Sequence, residues 1–132
     1  MILLDTHTLI WWVDSPQKLS KNARTVIEKE KSKEKSILVS SISTLEIYLL
    51  IKKGKLILTN YPDVWLEKIE SLPSVKFIPI DNKVAVQSVN LPDFSHKDPA
   101  DRIIIATSLL EGATLITSDN KILKYKHARA VW

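Results

Sequence analysis

Residues 96–120 read HKDPADRIIIATSLLEGATLITSDN. This run contains a helix start, a helix stop and a strand. Asp98 is a good N-cap, Pro99 suits the first helical position because its missing N–H would find no partner there, and Asp101 falls in the first turn, ahead of an isoleucine run that such a helix would bury. Gly112 supplies the stop. Thr114-Leu115-Ile116 is apolar enough for a strand, and Asp119 ends it. Capping alone accounts for both aspartates at the head of the helix, without any function.

The same alternation continues outward in both directions. Apolar runs of strand length lie at Ile2–Leu4, Ile37–Val39 and Val75–Ile80, and a weaker one at Ala128–Trp132. Helical patterns span Thr8–Val13, Ser20–Lys33, Thr44–Lys53, Pro62–Leu72, Lys83–Val89 and Pro99–Glu111, and Gly54, like Gly112, reads as a helix end. Strands that are apolar throughout, rather than alternating, belong to a sheet covered on both faces. Helices between successive strands make that sheet mostly parallel, so the order predicts an α/β fold. The 132 residues show no internal repeat, low-complexity linker or break in composition, and are expected to form one domain, 1–132.

With 45% hydrophobic and 26% charged residues, the composition is that of a soluble globular chain. No cysteine is present, which excludes disulfides and thiolate metal sites and is compatible with a cytoplasmic protein. The apolar start is cut off at Asp5, leaving no signal-peptide core, and no run is long enough to span a membrane. The net charge of +4 and pI near 9.3 favour a polyanionic partner mildly. Between Lys18 and Lys35 seven basic residues face three glutamates, 7 − 3 = +4. Such a stretch is either a solvated helix face or a surface for phosphates.

In open parallel sheets, ligands bind outside the carboxyl ends of the strands. Four acids are expected there: Asp5 after the first strand, Glu46 in the first turn of the helix after the second, Asp101, and Asp119. Each also has a local reading. Ser43-Thr44-Leu45-Glu46 fits a capping box, Asp98 to Asp101 has the same spacing, and Asp5 and Asp119 suit helix caps or Asx turns. Local capping does not explain convergence. Four carboxylates in one pocket repel, so one takes up a proton unless a cation sits among them. An oxygen-only set points to a hard cation, Mg²⁺ or Mn²⁺. Combined with a basic exterior, it points to metal-assisted hydrolysis of a phosphodiester. No protein nucleophile is offered, since cysteine and a Gly-x-Ser-x-Gly elbow are both absent.

LLDTHTLIWW at the start, VSSISTLEIYLLIKKGKL in the middle and HKDPADRIIIATSLLEGATLITSDNKI near the end resemble, in order and spacing, the PIN-domain ribonucleases. Within these the chain resembles the VapC-type toxins of type II toxin–antitoxin pairs. The resemblance implies a three-layer α/β/α sandwich, Mg²⁺- or Mn²⁺-dependent cleavage of RNA with a metal-activated water, a homodimer, and a cognate antitoxin that lays a peptide arm over the active-site groove. It maps the family's catalytic, metal-holding acids to Asp5, Glu46, Asp101 and Asp119, with Asp98 as either an auxiliary ligand or only an N-cap. Thr6 and Thr117, beside two of the acids, are either supporting residues or turn formers. Trp11, Trp12, Tyr48, Leu49 and Trp65 are candidates for the apolar contact surface, although tryptophans in a chain this small are more often core. His7 is a local hydrogen-bonding residue, and His96 and His127 have no carboxylate at catalytic spacing and receive no role.

Two other acid-pocket folds fail on the residues. A haloacid-dehalogenase-like phosphatase needs a second aspartate two residues after the first, where His7 stands. A receiver domain needs an aspartate at the end of a middle strand, where Ser40 and Ser41 follow Val39. The alternative that survives is a PIN-like module that binds RNA or a partner with little or no turnover.

Overall fold

The computed structural model describes residues 1–132. In chain order the elements are β1 (Ile2–Leu4), α1 (Thr6–Asp14), a 3-10 turn (Pro16–Lys18), α2 (Lys21–Lys31), β2 (Ile37–Ser40), α3 (Ser41–Lys52), α4 (Pro62–Glu70), β3 (Val75–Ile78), α5 (Asn82–Val89), α6 (Pro99–Glu111), β4 (Thr114–Ile116), α7 (Asn120–Leu123) and β5 (Ala130–Val131). All four strand pairings are parallel, and the sheet order is β3-β2-β1-β4-β5. The expected α/β/α sandwich is therefore present.

The apolar strands divide their side chains between two cores. Ile2, Leu4, Ile37, Val39 and Ile116 pack on one face with Leu9 and Ile10 of α1, Ala23 and Ile27 of α2, and Trp65 and Ile69 of α4. Leu3, Leu38 and Leu115 point the other way, onto Val84 of α5 and Ile104, Ile105 and Ala106 of α6. Alternation along a strand is intact. It is invisible in the sequence because both faces are covered. Helix α3 serves both layers, giving Ile47 to the first core and Ile42 to the second.

Several boundaries differ from the sequence expectation for local reasons. Helix α1 starts at Thr6 because Asp5 caps it, its side chain accepting from the Thr8 N–H at 2.8 Å. Helix α3 starts at Ser41 rather than Thr44: the last residue of β2, Ser40, is also the N-cap, its hydroxyl accepting from the Ile42 N–H at 3.2 Å. The third strand stops at Ile78, before Pro79, which has no N–H to add to a ladder. The last strand keeps only Ala130 and Val131, paired with Leu115 and Ile116. The short α7 was not expected as an element.

The lysine-rich stretch falls largely on the wrong edge for a site at the strand carboxyl ends. Helix α2 runs back toward the amino ends of the strands, where Glu30 meets the Met1 amine at 3.5 Å and the Lys35 N–H bonds the Pro73 carbonyl ahead of β3. Lys31 and Lys33 pair within the helix region to Glu28 and Glu30. For this half of the stretch the solvated face is the better description. No helix is long and apolar enough to cross a membrane.

Trp65, a candidate contact residue by sequence, belongs to the core at 3% exposure. Its indole N–H donates to Asp14 at 2.9 Å, and the same carboxylate accepts from the N–H and hydroxyl of Thr59. Asp14 thus ties the end of α1 to the segment that leads into α4. Asp14→Ala would leave the indole N–H buried without an acceptor, and a loss of about 1–3 kcal/mol is expected in urea unfolding. Adding Trp65→Phe, which removes that donor, should cost less in the Asp14→Ala background than in the wild type, as a double-mutant cycle would read.

Candidate active site

The strand order reverses between β1 and β4, one connection leading toward β2 and β3 and the other toward β5. A crevice opens at the carboxyl ends of strands that part in this way. Asp5 and Asp119 stand on its two sides. Asp5 follows β1 directly, and Asp119 lies three residues beyond β4, where it caps α7 by accepting from the Lys121 N–H at 2.8 Å. Thr117, fully buried, joins them. Its hydroxyl donates to Asp5 Oδ2, and its oxygen accepts the Asp119 N–H at 3.1 Å. With Thr8 N–H on Oδ1, both oxygens of Asp5 are held, each with a lone pair still free.

Glu46 and Asp101 close the crevice from the helices. Because α3 starts at Ser41, Glu46 lies in the second turn, and the capping box expected with Ser43 does not form. Instead the Thr6 hydroxyl donates to Glu46 Oε1 at 2.5 Å. Thr6 Oγ1 is also 2.9 Å from Ser43 Oγ; a hydroxyl has one proton to give, so Ser43 is the donor in that bond. Asp101 sits in the first turn of α6, whose N-cap is Asp98: its Oδ1 accepts from the N–H groups of Ala100 and Asp101. Asp101 Oδ2 lies 2.7 Å from His96 Nε2. An ionised carboxylate only accepts, so Nε2 is the nitrogen that carries the proton.

The structure brings all the sequence-selected acids together. Asp5, Glu46, Asp98, Asp101 and Asp119, with Thr6, line one cleft of about 480 Å³. Burial pushes the Glu46 carboxyl above its ordinary range; the Thr6 bond opposes this, and the charges of Asp101 and Asp98 add to it. Burial likewise raises Asp101, against the His96 bond and with the charges of Asp98 and Asp119. These are carboxylates that feel one another across a half-buried space, the situation a cation relieves. The tightest donor set is His96, Asp98 and Asp101, whose ligand atoms all lie within 4.8 Å of one another. The other acids line the same cleft more widely. Oxygen donors with at most one imidazole fit a hard divalent cation, and the acidic cluster can bind one.

Three participants were not selected by sequence. His96, to which the sequence assigns no role, is the direct partner of Asp101; the signal is its position five residues ahead, hidden because only the turn through Asp98 and Pro99 folds it back. Ser43 was read as a cap and instead supports Thr6. Arg102 bonds only main chain: its guanidinium donates to the carbonyls of Ser88, Val89, Phe94 and His96 at 2.7–3.1 Å and lies 5.6 Å from the Phe94 ring centre. It fixes the loop that carries His96. His127, by contrast, packs edge-on against Tyr125 at 5.4 Å, and its one carboxylate partner is the exposed Asp93, at 3.5 Å.

The aromatic candidates divide. Trp11 lines the cleft and stacks obliquely between His7 and Trp132, at 5.8 and 5.7 Å; Trp12 packs on the first core. Tyr48 donates to Asp63 at 2.5 Å, and Leu49 is exposed.

The PIN-domain family model matches residues 2–128. The chain is 33% identical over 130 residues to Ribonuclease VapC22 of Mycobacterium tuberculosis (strain ATCC 25618 / H37Rv), covering 98% of this chain and 95% of the relative. Among solved structures, VapBC2 from Rickettsia felis bound to a DNA fragment from their promoter aligns with a TM-score of 0.74 at 18% identity, covering 100% of this chain and 99% of that one. FitAcB from Neisseria gonorrhoeae aligns at 0.66 and 20% identity, covering 100% and 97%. The fold, the acids at its switch point and the family match over nearly the whole length agree: the chain belongs to the PIN-domain family.

Proposed function

We propose that this chain is a Mg²⁺- or Mn²⁺-dependent endoribonuclease, the toxin of a toxin–antitoxin pair, working in the cytoplasm as a homodimer of single PIN domains held in check by a cognate antitoxin. The observation that carries the catalytic reading is the gathering of Asp5, Glu46, Asp101 and Asp119 around one half-buried cleft, with Glu46 and Asp101 pushed toward protonation. The ribonuclease similarity over 98% of the chain supplies the substrate class, and the toxin–antitoxin complexes among the structural neighbours supply the kind of partner.

Asp5, Glu46, Asp101 and Asp119 would hold the cation, with Asp98 as an auxiliary ligand through the oxygen not used in capping. A bound Mg²⁺ or Mn²⁺ supplies Lewis acidity toward a phosphoryl oxygen and makes water a stronger nucleophile near neutral pH. The protein's part is placement. Thr117 and the Thr8 N–H fix Asp5, Thr6 fixes Glu46, and His96 fixes Asp101, so these three carboxylates would serve as ligands with their rotamers already set. The apolar residues beneath, Ile104 among them, keep the local dielectric low.

Purified chain free of antitoxin should cleave a mixed RNA pool with Mg²⁺ or Mn²⁺ and not with EDTA. Asp101→Asn should lower the rate by about two orders of magnitude or more while keeping the fold by circular dichroism. A folded, metal-loaded protein that cleaves none of the varied RNAs would instead support the binding module.

Proton linkage gives a second test. In the metal-free protein Glu46 and Asp101 have folded pKa values above their unfolded ones, so the native state binds more protons between the two values. Stability should therefore fall as pH rises from the ordinary carboxylate range, about 4, through the raised folded values, and Glu46→Gln should flatten that fall. Melting temperatures in EDTA between about pH 4 and 8 would show it. Mn²⁺ affinity, followed by titration calorimetry, should strengthen over the same rise, because protons and the cation compete for the same oxygens.

A further inference from the structure

Beside the acid cleft lies a second pocket, of about 580 Å³, with the opposite charge. Four exposed lysines, Lys97, Lys121, Lys124 and Lys126, surround it, over a floor that includes Phe94 and the buried Tyr125. Its one acid, Asp93, is already engaged by Lys126 at 3.8 Å and His127 at 3.5 Å. Lys97, Lys121 and Lys124 make no ion pair with any carboxylate of the chain. The two cavities share a wall. His96 lines the lysine pocket and bonds Asp101 in the cleft, while Lys121 is the second residue of the helix that Asp119 caps.

We propose that this pocket is the phosphate-binding track for the RNA strand next to the scissile bond, with Lys97, Lys121 and Lys124 each neutralising a backbone phosphate. The inference rests on the ribonuclease reading above and adds where the strand runs. A polyanion cannot be drawn in by the acid cleft itself, and the lysines at the end of α2 lie at the far edge of the sheet. Unpaired ammonium groups around a concave surface give up little to bind phosphate, since no internal ion pair has to break, and the gain comes from counterion release. Ammonium groups on flexible stems grip phosphates as point charges and read no bases. The track therefore places the strand without choosing its sequence.

The test uses the full chain carrying Asp5→Asn, which keeps RNA intact, and a fluorescent single-stranded RNA titrated at several salt concentrations. Each phosphate contact on a single strand contributes about −0.7 to the slope of log K against log salt. Changing Lys97, Lys121 and Lys124 together to Gln should reduce that slope by about 2 (three contacts at about 0.7 each) and weaken binding to unrelated sequences alike. The same change at Lys29, Lys31 and Lys35, on the opposite edge, should leave both unchanged. Melting curves check that each triple variant is folded. No RNA binding by the parent, an unchanged slope in the pocket variant, or an equal fall in both variants would overturn the proposal. Lost binding of a poly-glutamate peptide with an unchanged RNA slope would also overturn it and assign the pocket to an acidic protein segment. Cleavage by the otherwise wild-type chain is scored separately: cleavage with an unchanged slope defeats the track alone, and a reduced slope without cleavage defeats the nuclease alone.

Discussion

Like charges held together at low dielectric are the constraint around which this end of the molecule is built. Burial and mutual repulsion both push Glu46 and Asp101 toward protonation, yet the cleft keeps its carboxylates facing one another. What holds Asp101 is the half-buried His96, and what holds Glu46 and Asp5 is a set of hydroxyls with almost no access to water. Thr6 is 4% exposed, and Ser43 and Thr117 are fully buried. A buried hydroxyl that failed to find an acceptor would itself be destabilising. Asp5 with Thr117 and Glu46 with Thr6 therefore satisfy one another, so the polar interior of the site is compatible with the apolar cores on either side of the sheet.

The sheet explains why these residues meet at all. Parallel register places Leu4 beside Ile116, so the residues following β1 and β4 emerge together although Asp5 and Thr117 are 112 positions apart in the chain. Consecutive elements could not have produced that contact. Only the reversal of strand order, with β1 at its centre, leaves space above the strand ends for two helix starts to turn inward.

How much of this was legible in the sequence follows from the range of the interactions. The layers could be read because strands buried on both faces are apolar at every position, as at Ile2–Leu4 and Ile37–Val39. Asp5, Asp101 and Asp119 could be placed by their positions next to strand ends and a helix start. Glu46 was placed at the correct edge for a reason that failed: the strand runs into α3 without a loop, which moves the helix start forward by three residues and puts Glu46 beyond capping reach. The Thr117 contact depends on register, and the His96 contact on a turn through Pro99, neither of which a linear pattern records. Charge counting found a basic stretch in α2 but not its orientation, and the lysines nearest the acids come from two separate segments, around Lys97 and Lys121–Lys126. Trp65 shows the limit of residue type as a guide, since an aromatic side chain with a polar tip suits an interface and a core equally until its partner, here Asp14, is known.

The hydrogen bonds by which Arg102 grips its loop all go to carbonyl oxygens, a group that every amino acid possesses. The path of residues 88–96 is therefore held through its main chain as well as by the buried Leu91 and the Phe94 ring. Related chains could exchange the surface of this loop, and with it one rim of the lysine pocket, while the imidazole beside Asp101 stayed in place. Variation and constancy would then occupy the same few residues, divided between side chain and main chain.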